Sequence, residues 1–331
     1  MYNILRGDFM CTAISFRKGT HFFGRNLDLE YTYGERVIIT PRRYPLTFRC
    51  GKATDNHYAF IGMGIIECGF PLYYEATNER GLSVAALSFP EAKYFGVKNN
   101  RDNIASFEVI PWLLCQCKST EECKALLDSI NVTDTPFSEK YPPSPLHWLI
   151  SDKCASIVLE CDSGGVHIYE NSTDILTNSP AFPFHIYNLG SFMQLSENPP
   201  ENRIAPDVPL TPHSKGMGAS GLPGDMSSAS RFVRGFFIKE KLSPEQEYGN
   251  EVMQFFHILE AVSMPKGTVR GAEGEEYTVY SCCCDTERCI YYYRTYYDST
   301  VRAVSMHREN LGGSLLYSYP VEDIPSLRQI N

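Results

Sequence analysis

Apolar and polar residues alternate with a period of two along much of the chain, and this pattern predicts a protein built mainly of short β-strands. The predicted strands cover residues 11–16, 21–26, 36–40, 58–66, 82–89, 146–151, 156–161, 165–169, 277–284, 289–296 and 301–306. A helical period appears in two pairs of segments, 107–117 with 120–130 and 230–242 with 251–263. Ser119, with Glu122 three residues later, predicts the start of the second helix.

The order of these elements indicates the architecture. Strands come in blocks that are separated by paired helices, and no strand–helix–strand alternation runs through the chain. We therefore expect mostly antiparallel sheets with the helices stacked outside them. Residues 196–224 are rich in Pro, Gly, Ser and Asn and predict a long loop, which is typical of a functional segment or an oligomer contact.

Composition and charge exclude several classes of protein. The 331 residues are enough for a large core in one or two domains, and 43% hydrophobic with 21% charged residues is a globular composition. A net charge of −9 leaves no basic surface for nucleic acid or for an anionic membrane. No apolar run approaches the roughly 18 residues of a membrane-spanning helix. We expect neither a nucleic acid nor a membrane as partner.

The twelve cysteines would suit a disulfide-rich secreted protein only if the chain were short and exported. Residues 1–10 contain too short an apolar stretch for a signal peptide and no cleavage site of the usual kind, so we interpret the cysteines as reduced thiols of a cytosolic protein. Cys115 and Cys117 have the wrong spacing for zinc, and residues 282–284 with Cys289 flank a hairpin whose alternate side chains face opposite ways. We expect packing thiols, no metal site and no cofactor.

Cys11 is the candidate for chemistry because it directly follows Met10. If residues 1–10 were removed, one residue would carry both a thiol and a free α-amine. Their reference pKa values are about 8.5 and about 7.7 to 8.0, so they would serve as nucleophile and base near neutral pH without a histidine. The alternative is an ordinary buried strand cysteine, since free cysteines are often buried.

Two explanations remain for the ten residues before Cys11. They are a short propeptide cut after Met10, or they reflect an upstream start assigned in error, with Met10 as the true initiator. We favour the second, because codons for Arg6-Gly7-Asp8 include a purine run that resembles a bacterial ribosome-binding site. Removal of an initiator Met before a small residue such as Cys then needs no special protease.

Seven short motifs follow one another along the chain. They are Cys11-Thr12-Ala13, Phe23-Gly24-Arg25-Asn26-Leu27-Asp28, Asn78-Glu79-Arg80-Gly81-Leu82, Ser144-Pro145-Leu146-His147-Trp148, Leu176-Thr177-Asn178-Ser179-Pro180, Gly221-Leu222-Pro223-Gly224-Asp225 and Ser230-Arg231-Phe232. In this order they resemble the choloylglycine hydrolases, which comprise bile salt hydrolases and penicillin V acylases within the N-terminal-nucleophile hydrolases. The resemblance runs from Cys11 to about Ile324 and favours a catalytic Cys11 over a packing cysteine.

The resemblance implies an α+β fold of four αββα layers, in which two antiparallel sheets pack face to face between helix layers. Residues 11–331 would form a single catalytic domain. For the site, the resemblance implies Cys11 as nucleophile with its own α-amine as base, Asp28 as the carboxylate that holds this amine, Arg25 beside the thiol, Asn178 as side-chain donor to the oxyanion, and Arg231 as the second arginine.

The chemistry of these residue types agrees with those roles. A fixed cation lowers the pKa of a neighbouring thiol, and a carboxylate holds and polarises an amine. Residues three apart on a strand face opposite ways, so Arg25 and Asp28 reach one cysteine only if the chain bends near residues 26–27. Taken alone, the pair would suggest a surface ion pair, Asn178 a turn residue and Arg231 an ordinary helix cation.

Ser88 departs from the family pattern, in which bile salt hydrolases usually have Asn and penicillin V acylases Tyr. The resemblance implies that the backbone N–H of this residue completes the oxyanion hole. A side-chain change leaves that donor in place. We therefore expect Ser88 to affect substrate choice more than catalysis.

The function implied by the resemblance is that of a cytosolic bacterial amidase, a homotetramer, which cleaves glycine- or taurine-conjugated bile salts. Aromatic residues, 13% of the chain, would line part of the wide apolar pocket that a steroid needs. The first alternative is a penicillin V or N-acyl-homoserine-lactone acylase with the same chemistry and a different pocket. A second alternative is an inactive steroid-binding relative with an uncut N-terminus.

Overall fold

The computed structural model describes residues 9–51, 53–245, 247–271 and 274–331, and strands account for most of its regular structure. The strands are β1 Cys11–Phe16, β2 Phe22–Leu29, β3 Arg36–Thr40, β4 Phe60–Glu67, β5 Phe70–Asn78, β6 Ser83–Ser88, β7 Asp102–Ala105, β8 Ile130–Thr133, β9 Leu146–Ser151, β10 Ser156–Asp162, β11 Gly165–Glu170, β12 Ile175–Leu176, β13 Val269–Arg270, β14 Glu275–Asp285, β15 Ile290–Thr295, β16 Arg302–Ser305 and β17 Tyr317–Pro320. The α-helices are α1 Val109–Gln116, α2 Thr120–Leu127, α3 Phe182–Leu189, α4 Ser228–Lys241 and α5 Tyr248–Glu260.

Two large sheets hold most of these strands. The first has the order β12-β1-β2-β14-β15-β16, with β13 also paired to β14, and the second has the order β11-β10-β9-β6-β5-β4-β3-β17. Every strand pairing described within these two sheets is antiparallel. The prediction of mostly antiparallel sheets is therefore confirmed, while the short strands β7 and β8 pair in parallel.

The two faces of each sheet bury different sets of side chains. In β3, Val37 and Ile39 join the core between the sheets, whereas Ile38 joins a second core on the outer face. Trp112 of α1 packs into that outer core, and Phe255 of α5 packs against the other sheet. The layers are therefore helix, sheet, sheet and helix, and the predicted four-layer αββα fold is confirmed.

The sequence predicted the start of α2 correctly, but it did not predict β5 or α3. The Ser119 hydroxyl accepts the Glu122 backbone N–H at 3.3 Å and caps α2 as predicted. Strand β5 was missed because Pro71 and the buried Glu75 interrupt its apolar pattern. Helix α3 was missed because Pro180 before it and Pro183 within it are typical of turns, although proline is tolerated in the first helical turn.

The bend expected near residues 26–27 takes a different form. Strand β2 runs unbroken through this region, and the irregularity lies in its neighbour β14, whose register shifts between Thr278 and Tyr280, opposite Asp28 and Leu27. An extra residue in one strand bends and twists the pair locally. Among the described residues, no helix has both the length and the apolar character needed to cross a membrane.

Candidate active site

The structure brings all six predicted site residues into one region at the start of β1. Cys11 is 2% exposed and is paired through its Cα with Leu27 of β2. The other five residues come from four different parts of the fold: Arg25 and Asp28 from β2, Ser88 from the end of β6, Asn178 from the segment after β12, and Arg231 from α4. Their proximity is a product of the tertiary fold, because they are spread over more than 200 positions of the chain.

The orientation of the Asn178 side-chain amide is defined by its partners. Its Oδ1 accepts the Cys11 backbone N–H at 2.7 Å and a guanidinium N–H of Arg231 at 2.8 Å. A guanidinium group only donates, so the oxygen must be the atom that faces Arg231. The Nδ2 atom then points the other way and donates to the carbonyl oxygens of Phe9 and Ser88, both at 2.9 Å.

Arg231 holds this arrangement in place through hydrogen bonds to the start of β1. It is fully buried on α4 and donates to the Cys11 carbonyl and, at 2.7 Å, to the Thr12 hydroxyl. A further bond at 3.0 Å from its Nε to the Met226 carbonyl anchors the guanidinium to the start of the helix. Arg231 therefore connects Cys11 and Thr12, the first two residues of β1, to the amide of Asn178.

Asp28 is a buried carboxylate with one oxygen in use. Its Oδ1 accepts the Thr278 hydroxyl at 2.6 Å, and its Oδ2 has no hydrogen-bond partner among the described residues. Its backbone N–H donates to the Met10 carbonyl at 3.1 Å, which places it beside the peptide bond before Cys11. Burial raises the pKa of Asp28 to about 6, although the charge of Arg231 acts in the opposite direction.

Arg25 lies on the other side of Cys11 and is also fully buried. It donates to the Ala86 carbonyl at 2.6 Å and forms an ion pair of 3.7 Å with Glu75. Its Nη2 has no partner among the described residues. Burial raises the pKa of the Cys11 thiol, and the charge of Arg25 is the largest effect that lowers it.

Glu75, Glu276 and Thr278 belong to this region but were missed by sequence reasoning. Glu75 accepts the hydroxyls of Tyr280 at 2.9 Å and Tyr291 at 2.6 Å, which fix it opposite Arg25. Glu276 accepts the Met10 backbone N–H at 3.1 Å. The sequence patterns gave no signal for Glu75, whose strand was itself missed, or for Glu276, which lies just before the predicted strand 277–284.

A cavity of about 960 Å³, including its open mouth, leads to the Cys11 side chain. Arg25 and Ser88 line it near Cys11, and the remaining lining is mostly apolar. Its aromatic and aliphatic lining includes Phe9, Leu27, Leu29, Tyr33, Ile65, Leu72, Tyr74, Phe107, Phe137, Tyr141 and Leu146. A lining of this apolar character suits a large apolar ligand. Within the described ranges, no group of three or more His, Cys, Asp or Glu side chains is arranged to hold a metal ion.

Sequence and structure comparisons agree with this geometry. The family model of the linear amide C–N hydrolases, choloylglycine hydrolase family, matches residues 11–325. The bile salt hydrolase/transferase of Lactiplantibacillus plantarum is 45% identical over 325 residues, covering 97% of this chain and 100% of the relative. A mutant of the conjugated bile acid hydrolase from Clostridium perfringens has a solved structure with a TM-score of 0.90 at 34% identity, covering 97% of this chain and 100% of that one.

The penicillin V acylase of Agrobacterium tumefaciens has the same fold, with a TM-score of 0.75 at 15% identity over 96% of this chain and 99% of that one. The αββα layers and the family match define a hydrolase of linear amides with the N-terminal-nucleophile fold. The chain belongs to the choloylglycine hydrolase family.

Proposed function

We propose that this protein is a bile salt hydrolase, which cleaves the amide bond of glycine- or taurine-conjugated bile salts with Cys11 as an N-terminal nucleophile. The supporting relatives are named for bile salt or conjugated bile acid hydrolysis and are 34–45% identical over nearly the whole chain. The family match begins at Cys11, which supports a mature domain over residues 11–331. Removal of residues 1–10 then turns the backbone nitrogen of Cys11 into the α-amine.

The observation that carries this proposal is the carbonyl group bound to Asn178. In the uncut chain, one N–H of the Asn178 amide donates a hydrogen bond to the Ser88 carbonyl and the other donates to the Phe9 carbonyl. Once residues up to Met10 are removed, the second N–H has lost its acceptor and is available beside Cys11. This N–H then donates to a substrate carbonyl oxygen in the place of the Phe9 oxygen, and one such donor is worth about 2.7 to 4 kcal/mol in a tetrahedral transition state.

The proposed reaction has two halves. The α-amine takes the thiol proton, and the Cys11 sulfur forms a bond to the amide carbonyl carbon while Asn178 and the Ser88 N–H hold the oxyanion. The C–N bond then breaks, and the protonated α-amine gives its proton to the leaving glycine or taurine. Water adds to the thioester, the C–S bond breaks, and the bile acid leaves. Arg25 favours the thiolate, Asp28 holds the amine, and Arg231 orients Asn178.

The electrostatics of the uncut chain support a dormant nucleophile. Burial keeps the pKa of the Cys11 thiol above its usual value, so the group stays protonated while its nitrogen is still part of a peptide bond. A neighbouring α-amine supplies the missing base. An uncut chain would therefore be the inactive relative that remained as an alternative.

The apolar cavity supports a steroid acyl group, and Phe9 supports a second substrate. The Phe9 side chain lines the cavity beside Cys11, so an aromatic ring fits close to the nucleophile. Penicillin V carries its aromatic ring on the acyl side of the amide. We propose penicillin V as the weaker substrate of the same site.

A hydrolysis panel of taurocholate, glycocholate and penicillin V tests these assignments, with the Cys11→Ala variant as the blank. We expect both bile salts to be hydrolysed with a higher kcat/KM than penicillin V. A kcat/KM for penicillin V that is tenfold or more above those for the bile salts would identify the protein as a penicillin V acylase instead. Absence of all three activities in protein that begins at Cys11 would refute the function proposed here.

We further propose a cytoplasmic homotetramer. Tyr187 at the end of α3 is 83% exposed and Met193 is 86% exposed, while Phe184 and Ile186 on the same helix are partly exposed. Apolar side chains concentrated on one surface are typical of a contact between copies. Light scattering should give a mass near four times that of one chain, and Tyr187→Ser with Met193→Ser should lower it. A monomer in the parent protein would refute the tetramer.

A further inference from the structure

Glu276 is a buried carboxylate that none of the roles above uses. It lies near the start of β14, two residues before Thr278, whose hydroxyl donates to Asp28. Its residue is 3% exposed, and its Oε1 accepts the backbone N–H of Met10 at 3.1 Å. A carboxylate in such a place needs donors, because an unpaired buried charge is costly.

The Met10 residue is held at each of its polar backbone atoms. Its N–H donates to Glu276, and its carbonyl accepts the Asp28 backbone N–H at 3.1 Å. The next N–H, that of Cys11, donates to Asn178. Consecutive backbone nitrogens are at most about 3.6 Å apart, so the Glu276 Oε1, which is 3.1 Å from the Met10 nitrogen, lies no more than about 7 Å from the nitrogen of Cys11.

Removal of residues 1–10 changes the hydrogen-bond partners of Glu276 and of the Cys11 nitrogen at the same time. Glu276 loses its Met10 donor, and the Oδ2 of Asp28 already lacks one among the described residues. The nitrogen of Cys11 gains two protons and a positive charge, while Asn178 Oδ1 accepts only one of its N–H groups. Two buried carboxylates with free acceptor positions therefore face an ammonium that has donors to spare.

We propose that Glu276 is a positioning residue for the α-amine, which it holds together with Asp28, either directly or through one water in the space of Met10. This proposal rests on the proposed N-terminal Cys11. The amine is then oriented by three groups from separate elements: Asn178, Asp28 of β2 and Glu276 of β14. The free amine has two N–H groups and one lone pair, so acceptors that take both N–H groups leave the lone pair directed at the thiol.

The charges around Glu276 determine the direction of its effect. Asp28 of β2, Glu30 just after β2 and Arg231 of α4 act on it electrostatically, and Cys11 lies at the start of β1. Burial raises the pKa of Glu276 to about 7 in the uncut chain, and an ammonium in place of the Met10 N–H favours its charged form. A negative charge close to Cys11 makes both the amine and the thiol hold their protons to higher pH.

Glu276→Gln therefore should move the proton release of Cys11 to lower pH by about one unit. Two profiles measure it: kcat/KM against pH, and the rate of Cys11 alkylation by iodoacetamide against pH, followed on the N-terminal peptide by mass spectrometry. We also expect kcat on the plateau to fall about tenfold, because the amine is less well oriented. Glu276→Asp, which keeps the charge on a shorter side chain, should show a smaller shift in the same direction.

Glu275→Gln is the matched control, because Glu275 is the next residue of β14, its side chain is 39% exposed, and it lies 3.8 Å from Arg270. Its profiles should superimpose on those of the parent. Intact mass confirms that each variant begins at Cys11. Unchanged profiles for Glu276→Gln in such protein would overturn the proposal.

The alkylation profile needs no substrate, so it separates this proposal from the proposed function. If the parent hydrolyses no bile salt but Glu276→Gln still shifts the alkylation profile, the function fails and the positioning role stands. If the parent is active and the profiles of Glu276→Gln overlap with it, only the positioning role fails. Should Glu276→Gln not fold, Glu276→Asp decides by the same criterion, with a smaller shift expected and no shift overturning the proposal.

Discussion

At the scale of single residues, the orientation of the Asn178 amide follows from the chemistry of its neighbours. Arg231 can only donate, so it fixes the oxygen, and the Ser88 carbonyl can only accept, so it fixes the NH₂ group. Both constraints agree, which gives the amide one orientation. The second NH₂ proton, now on the Phe9 carbonyl, is the one left for a substrate.

Replacement of Cys11 by Ala should abolish hydrolysis of taurocholate and leave the unfolding midpoint close to that of the parent. Replacement by Ser should impair hydrolysis severely, because a hydroxyl stays un-ionised where the thiol becomes a thiolate. Steady-state kinetics and thermal unfolding measure both effects. If Cys11→Ala kept a tenth of the parent activity, another nucleophile would have to be sought.

Ser88 tests whether the oxyanion donor is backbone or side chain. We expect Ser88→Asn to leave kcat within about tenfold, roughly 1.4 kcal/mol or less, while it changes KM or the ratio of bile salt to penicillin V hydrolysis. Ser88→Ala should behave similarly, because the backbone N–H remains. Measurement of kcat and KM on taurocholate and penicillin V decides, and a hundredfold fall in kcat for Ser88→Ala with the fold intact would assign the donor to the hydroxyl.

At the scale of elements, the pairing of β2 with β14 builds most of the site. Strand β2 carries Arg25 and Asp28, and β14 carries Glu276 and Thr278. The register shift opposite Asp28 lets side chains of adjacent strands converge on the start of β1. Close approach of the two strands is therefore a requirement of the site as well as of the core.

Gly24 permits that approach, because a Cβ at this position would lie 1.9 Å from the Cys282 carbonyl oxygen. Gly24→Ala should lower the free energy of unfolding by about 2 to 3 kcal/mol or more, since backbone must move to admit the methyl group. Gly249→Ala is the control: it lies in α5 with open space around it and should be neutral or stabilising by about 0.5 to 1 kcal/mol. Urea unfolding compares the two, and equal stabilities would contradict the close contact.

At the scale of the whole molecule, the residues before Cys11 occupy the site that they would have to leave. The Phe9 carbonyl takes the Asn178 donor, the Phe9 ring lines the cavity, and Met10 takes Glu276. A chain that keeps these residues cannot present an α-amine at Cys11. The geometry of the uncut protein is thus incompatible with the proposed reaction.

Intact mass of the protein expressed from its native gene should correspond to a chain that starts at Cys11. Silencing the Met1 codon distinguishes the two origins of that terminus: unchanged yield and activity identify Met10 as the initiator, whereas loss of the protein identifies a propeptide. Fully active enzyme that still carries Met1 would refute the N-terminal nucleophile.

Much of this protein could be predicted from its sequence by itself. Period-two alternation indicated most of the longer strands, and their blocks separated by paired helices indicated mostly antiparallel sheets. The αββα layers were implied by the family resemblance that the ordered motifs carry. Ordered motifs gave the candidate residues from Cys11 to Arg231. Both kinds of signal are local, and each is complete within a few consecutive residues.

Which residues are hydrogen-bonded to one another in the site was decided only by the tertiary structure. Cys11 and Asn178 are 167 positions apart, and Met10 and Glu276 are 266 positions apart. No local pattern marks a carboxylate as buried, because a charge is tolerated inside only when distant residues supply its partners. Glu75 and Glu276 therefore became recognisable as site residues only in the folded chain, where Arg25, Tyr280 and the N-terminal segment pack against them.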